Sequence, residues 1–106
     1  MADESAKLAA ALQAANRSHA QDYPVTIGAN MAGTDSIWFQ DFVASVSVRE
    51  NERVTGIVRG SNPHHHEPTD RYENYGEEDF RFGFNSAQTT LGGLGQLAGI
   101  TLAPPR

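Results

Sequence analysis

Hydrophobic positions near the start of the chain recur with a helical period. Leu8, Leu12, Ala15 and His19 fall at i, i+4, i+7 and i+11, which places them on one face of a helix over 3–21. Asp3 suits the N-cap, Glu4 and Ser5 suit the first turn, and Asp22-Tyr23-Pro24 ends the pattern. The face is narrow and alanine-rich. It predicts close packing of the helix backbone on a sheet rather than a free coiled coil.

Beyond residue 22 the period changes to two. Tyr23, Val25 and Ile27 alternate with Pro24, Thr26 and Gly28, predicting a strand over 23–28 that starts at an edge, because proline donates nothing to a ladder. The longest strand signal covers 36–48, with Trp38, Phe42, Ala44, Val46 and Val48 on one face and Ile37, Phe39 and Val43 on the other. A polar turn at Arg49–Glu52 leads to a return strand over 53–59. Phe80, Phe82 and Phe84 alternate with polar or glycine positions in a strand over 79–85, and a last short strand is predicted over 99–102. Together these elements predict one α+β domain over 1–106, an N-terminal helix packed on a four- to five-stranded, mainly antiparallel sheet. A loop over 60–78 and a glycine-rich C-terminal arm over 90–106 complete it.

Composition makes that core marginal. Leu, Ile, Val and Phe together supply 21 of 106 residues, close to the roughly 20% below which chains struggle to bury enough apolar surface. Extra burial against a second protomer or another protein is therefore expected. A lone helix covers one face of a sheet, so Ile37, Phe39 and Val43 need another cover. With Leu91, Leu94 and Leu97 of the arm they are the candidate partner-binding residues.

The absence of cysteine excludes a disulfide scaffold, thiolate-ligated metal and thiol catalysis. No GxSxG elbow is present, and the glycines between Gly92 and Gly99 lack the Lys-Ser/Thr of a phosphate-binding loop. The formal charge is −5, and the stretch from Glu67 to Asp79 alone carries six acids and one base. Direct nucleic-acid binding is not expected from such a balance, nor is a membrane span from apolar runs this short.

His64-His65-His66-Glu67, with Asp70 close by, is the most conspicuous cluster. In an extended segment His64 and His66 point the same way, and imidazole with carboxylate suits a divalent transition metal. His64, His66, Glu67 and Asp70 are thus the candidate metal ligands. Set against this, three adjacent histidines in a proline-flanked loop lack the i, i+4 pairing of helical sites. Neighbouring acids also favour imidazolium, so the loop is a candidate for a charge change near neutral pH.

These features favour a non-enzymatic interaction or assembly module: a particle subunit, an adaptor or a small inhibitor. It would bind a protein partner, or itself, through a sheet face or edge and the C-terminal arm, without a cofactor. The alternative is a metal-binding protein or small metal-dependent enzyme built on the 64–70 loop. The expected location is the cytoplasm, or a particle assembled there.

Overall fold

The computed structural model describes residues 2–28, 35–49 and 63–100. Two helices dominate them, α1 over Ala2–His19 and α2 over Glu77–Leu97, with short 3-10 turns at Asp35–Trp38 and Tyr72–Asn74 between. No strand occurs among the described residues, which overturns the predicted α+β sheet in favour of a helical pair.

Each lost strand has a local cause. Over 79–85 the Phe alternation lies inside α2, because a helix separates Phe82 from its two neighbours. Phe80 and Phe84, four apart, share one face, while Phe82 turns the other way and meets Tyr23 edge-on at 5.2 Å between ring centres. The helix start is set by charge and capping: Glu77, Glu78 and Asp79 occupy the first turn, and Asp79 Oδ2 accepts the Gly76 N–H at 2.8 Å.

The segment 23–28 follows a bend at Tyr23 and is irregular, and side chains of α1 take its backbone groups. Gln13 Nε2 donates to the Val25 carbonyl at 3.0 Å, and the Val25 N–H donates to Asn16 Oδ1 at 3.2 Å. Over 36–48 a 3-10 turn and further turns run to Val43, followed by irregular chain that lies along the first half of α1. The Ser45 N–H donates to Ser5 Oγ at 2.9 Å there. The strand expected over 53–59 lies outside the described residues, as do residues 101 and 102 of the last one.

At 99–100 the chain closes α2 instead of starting a strand. Gly99 takes a φ of +83°, the Gly99 N–H donates to the Gln96 carbonyl, and the Ile100 N–H reaches back to the Gly95 carbonyl at 2.8 Å. That pair of bonds is a Schellman turn, for which glycine is favoured because L side chains resist positive φ.

Asn16 holds the helical pair together. It is 3% exposed, and its Nδ2 lies 2.8 Å from the Ala20 carbonyl, 2.9 Å from the Tyr23 carbonyl and 3.1 Å from Thr89 Oγ1. Thr89 Oγ1 in turn donates to the Asn85 carbonyl, and Asn85 Nδ2 donates to the Tyr23 carbonyl. Asn85 Oδ1 has no partner among the described residues. Leu12 faces Gly93, Asn16 faces Thr89, and Tyr23 meets Asn85, Phe82 and Glu78, so the helices run antiparallel.

Glycine allows the approach. A methyl group built at Gly92 would come within 2.6 Å of the His19 ring, and one at Gly93 within 2.6 Å of Leu12 Cδ2. Among the described residues the buried apolar side chains are those of Ala15 and Ala20 alone. The fully buried part of the contact is therefore amides, a hydroxyl, glycine and alanine, with Leu12, His19 and Phe82 half-buried around it.

Candidate interaction surface

The outer side of α2 carries what its inner side lacks. Phe80, Phe84, Ala87, Leu91 and Leu94 fall at i, i+4, i+7, i+11 and i+14, and Ala98 at the C-cap continues the series. This is the alternating four-three spacing of an apolar seam. The side facing α1 holds Asn85, Thr89, Gly92 and Gly93, roughly half a turn away, which sends the seam to solvent. Phe84 is 63% exposed and Leu91 72%.

The loop before α2 extends the seam at its N-terminal end. Tyr72 lies over Phe80 with ring centres 5.0 Å apart, and Tyr75 approaches the same ring at 6.4 Å. His64 meets Tyr75 edge-on at 5.5 Å. The result is an aromatic cluster with Phe80 at its centre.

Charge beside the seam is confined to this end. Arg81 reaches Glu77 at 3.7 Å and Glu78 at 3.5 Å, both exposed pairs of small energetic weight. On the α1 side, the Tyr23 hydroxyl donates to Glu78 Oε2 at 2.8 Å. That hydrogen bond to a carboxylate, with lesser help from desolvation, raises the Tyr23 pKa above the usual tyrosine value. From Phe82 to Ile100 no residue is charged.

Of the residues singled out in the sequence for partner binding, Leu91, Leu94 and Leu97 stand exposed on α2, with Leu97 at the edge of the seam. They belong to a helix rather than to a loose arm. Ile37, Phe39 and Val43 sit apart from them in the turns after Asp35, where Phe39 and Val43 line a shallow recess beside Leu8. Trp38 and Phe42 are also strongly exposed there.

The histidine loop is organised by its own contacts. His64 Nδ1 lies 2.8 Å from Thr69 Oγ1, Tyr75 donates to Asp70, and Asn74 Nδ2 donates to the Thr69 carbonyl at 2.7 Å. The His65 and His66 rings meet edge-on at 4.1 Å. His66 has a φ of +58°, a left-handed conformation uncommon for a residue other than glycine. Among the described residues, which include His64, His66, Glu67 and Asp70, no three His, Asp or Glu side chains gather where they could hold a metal ion.

Sequence reasoning missed Phe80 and Phe84 as surface residues, and Tyr72 and Tyr75 altogether. The signal available was the spacing 80, 84, 87, 91, 94, which the intervening Phe82 and three glycines obscured. No helix among the described residues is long and apolar enough to cross a membrane. Comparison with known proteins finds no matching family model, curated protein or solved structure.

Proposed function

We propose that this chain is a non-enzymatic interaction or assembly module that binds protein through the outer face of α2. One observation carries the reading: an uninterrupted apolar seam from Phe80 to Leu94 faces solvent on a helix whose other side is already occupied by α1. Apolar area of that length is what a partner helix removes from water, and its four-three spacing matches helix-on-helix packing. The sheet face expected from the sequence has no part in it, whereas Leu91, Leu94 and Leu97 keep the role expected of them.

A photoreactive amino acid placed at Leu91 in the expressed full chain tests this. Crosslinking should give adducts of discrete mass from that position, while the same group at Arg17, on the exposed side of α1, should give few. Equal yields at the two positions, or none at either, would sink the reading.

A further inference from the structure

We propose that the occupant of the α2 seam is a second copy of the same helix, laid antiparallel. The inference rests on the interaction reading above and adds to it the identity and direction of the partner.

Side-chain size supports the antiparallel choice. The seam is large at one end, Phe80 and Phe84, and smaller at the other, Leu91, Leu94 and Ala98, with Ala87 between. Turning a second copy end for end pairs Phe80 with Ala98 of the other copy, Phe84 with its Leu94, and Ala87 with its Leu91. Every layer then combines a larger with a smaller side chain, as knobs-into-holes packing requires. A parallel pair would stack phenylalanine on phenylalanine and leave a gap at Ala87.

Charge supports the same choice. Glu77, Glu78 and Asp79 all lie at the N-terminal end of α2, and residues 82–100 carry no charge. Antiparallel pairing sets each acidic end against an uncharged end and opposes the helix dipoles, whereas parallel pairing brings six acids together, offset only by the two copies of Arg81. The positions flanking the seam beyond Arg81 are Gly83, Gln88, Thr90, Gly95 and Leu97, none of them charged. In helix pairs flanking charges set the choice and orientation of the partner, and beyond Arg81 this seam carries none that would repel a second copy.

The area suits a pair. At the exposures of Phe80, Phe84, Leu91, Leu94 and Leu97, each copy offers roughly 600 Å² of apolar surface, and two copies reach the lower end of stable interfaces at about 1,200 Å². Gly83 adds an independent hint. It lies near the outer side of α2, and a methyl group there would meet nothing within 4 Å. The contact with α1 therefore gives no reason for a glycine that weakens the helix, whereas a closely approaching second backbone does.

Sedimentation equilibrium of the untagged full chain over a concentration series should give a dimer that dissociates on dilution. Leu91→Glu/Leu94→Glu should weaken pairing at least about 100-fold while leaving helical circular dichroism in place. Because the chain has no cysteine, direction can be read separately without relying on that variant. Mixing Phe80→Cys chains with Ala98→Cys chains should yield mainly the mixed disulfide.

A monomer at every concentration would overturn self-pairing. If the Leu91 crosslinks then run to a different protein, the interaction reading survives without it; if Leu91 gives no adducts, both fall. A dimer linked chiefly between two Phe80→Cys chains would overturn the antiparallel arrangement.

Discussion

On the side of α2 that meets α1 stand Asn85, Thr89, Gly92 and Gly93, all buried; on the opposite side Phe80, Phe84, Leu91 and Leu94 keep between 44% and 72% of their surface exposed. On α2, small or hydrogen-bonding groups are buried and the large apolar ones are not, although Asn85 Oδ1 is buried with no partner among the described residues. The Ser86, Thr89 and Thr90 hydroxyls all donate to carbonyls four residues back, which lets polar groups ride inside or beside the contact without a solvation penalty. The apolar groups are left as the helix's outward offer. The two faces should therefore respond oppositely to the same kind of substitution.

The largest effect is expected at Asn16. Asn16→Leu removes the donor shared by Ala20, Tyr23 and Thr89 and the acceptor for the Val25 N–H. The Tyr23 carbonyl and Thr89 hydroxyl keep their bonds to Asn85, but losing the partner of the Ala20 carbonyl and of the Val25 N–H should cost about 3 kcal/mol, read from urea unfolding at a dilution that favours single chains. An unchanged midpoint would mean that the inner face is held by something other than this network.

A matched pair of glycine substitutions sharpens the contrast. Gly92→Ala drives a methyl group to 2.6 Å from the His19 Cδ2 and 3.1 Å from its Cγ, and should destabilise by about 1–2 kcal/mol despite its better helix propensity. Gly83→Ala has open space and should stabilise the single chain by about 0.5–1 kcal/mol. Thermal melting of both variants checks the signs. The same sign at both positions would erase the difference between the faces.

The smallest effect is alkaline. The Tyr23 pKa is raised in the folded chain, so its contribution is fully present below the unfolded tyrosine value of about 10 and is lost as pH rises through the higher folded value. Tyr23→Phe should remove that alkaline loss of helicity, and tyrosinate absorbance of the parent chain should show one group titrating late. A parent and variant that unfold identically with rising pH would assign the transition to other groups.

These contrasts also show what a sequence pattern carries. Leu8, Leu12, Ala15 and His19 predict a helix where α1 stands, because its inward face follows a single 3.6 period. In α2 two faces are both meaningful, and superposing an outer apolar seam on an inner stripe of Asn, Thr and Gly produced an apparent period of two around Phe80, Phe82 and Phe84. The start signal was present in Gly76-Glu77-Glu78-Asp79, where acids favour a helix N-terminus, although their charge alone suggests a solvated loop. Leu91, Leu94 and Leu97 were recognisable as surplus apolar groups. Asn16, Asn85 and Thr89 were not, since their partnership depends on residues 73 apart in the chain meeting across two helices.

The closed ends of α2 give it a fixed measure. Asp79 secures the start, and the turn at Gly99 and Ile100 closes the helix at its end. The helix itself is 21 residues long, about 32 Å at 1.5 Å per residue. On the proposed pairing that span would act as a gauge: a companion helix of the same length would be matched from end to end, a shorter one would leave apolar rungs in water, and a longer one would gain nothing from its overhang.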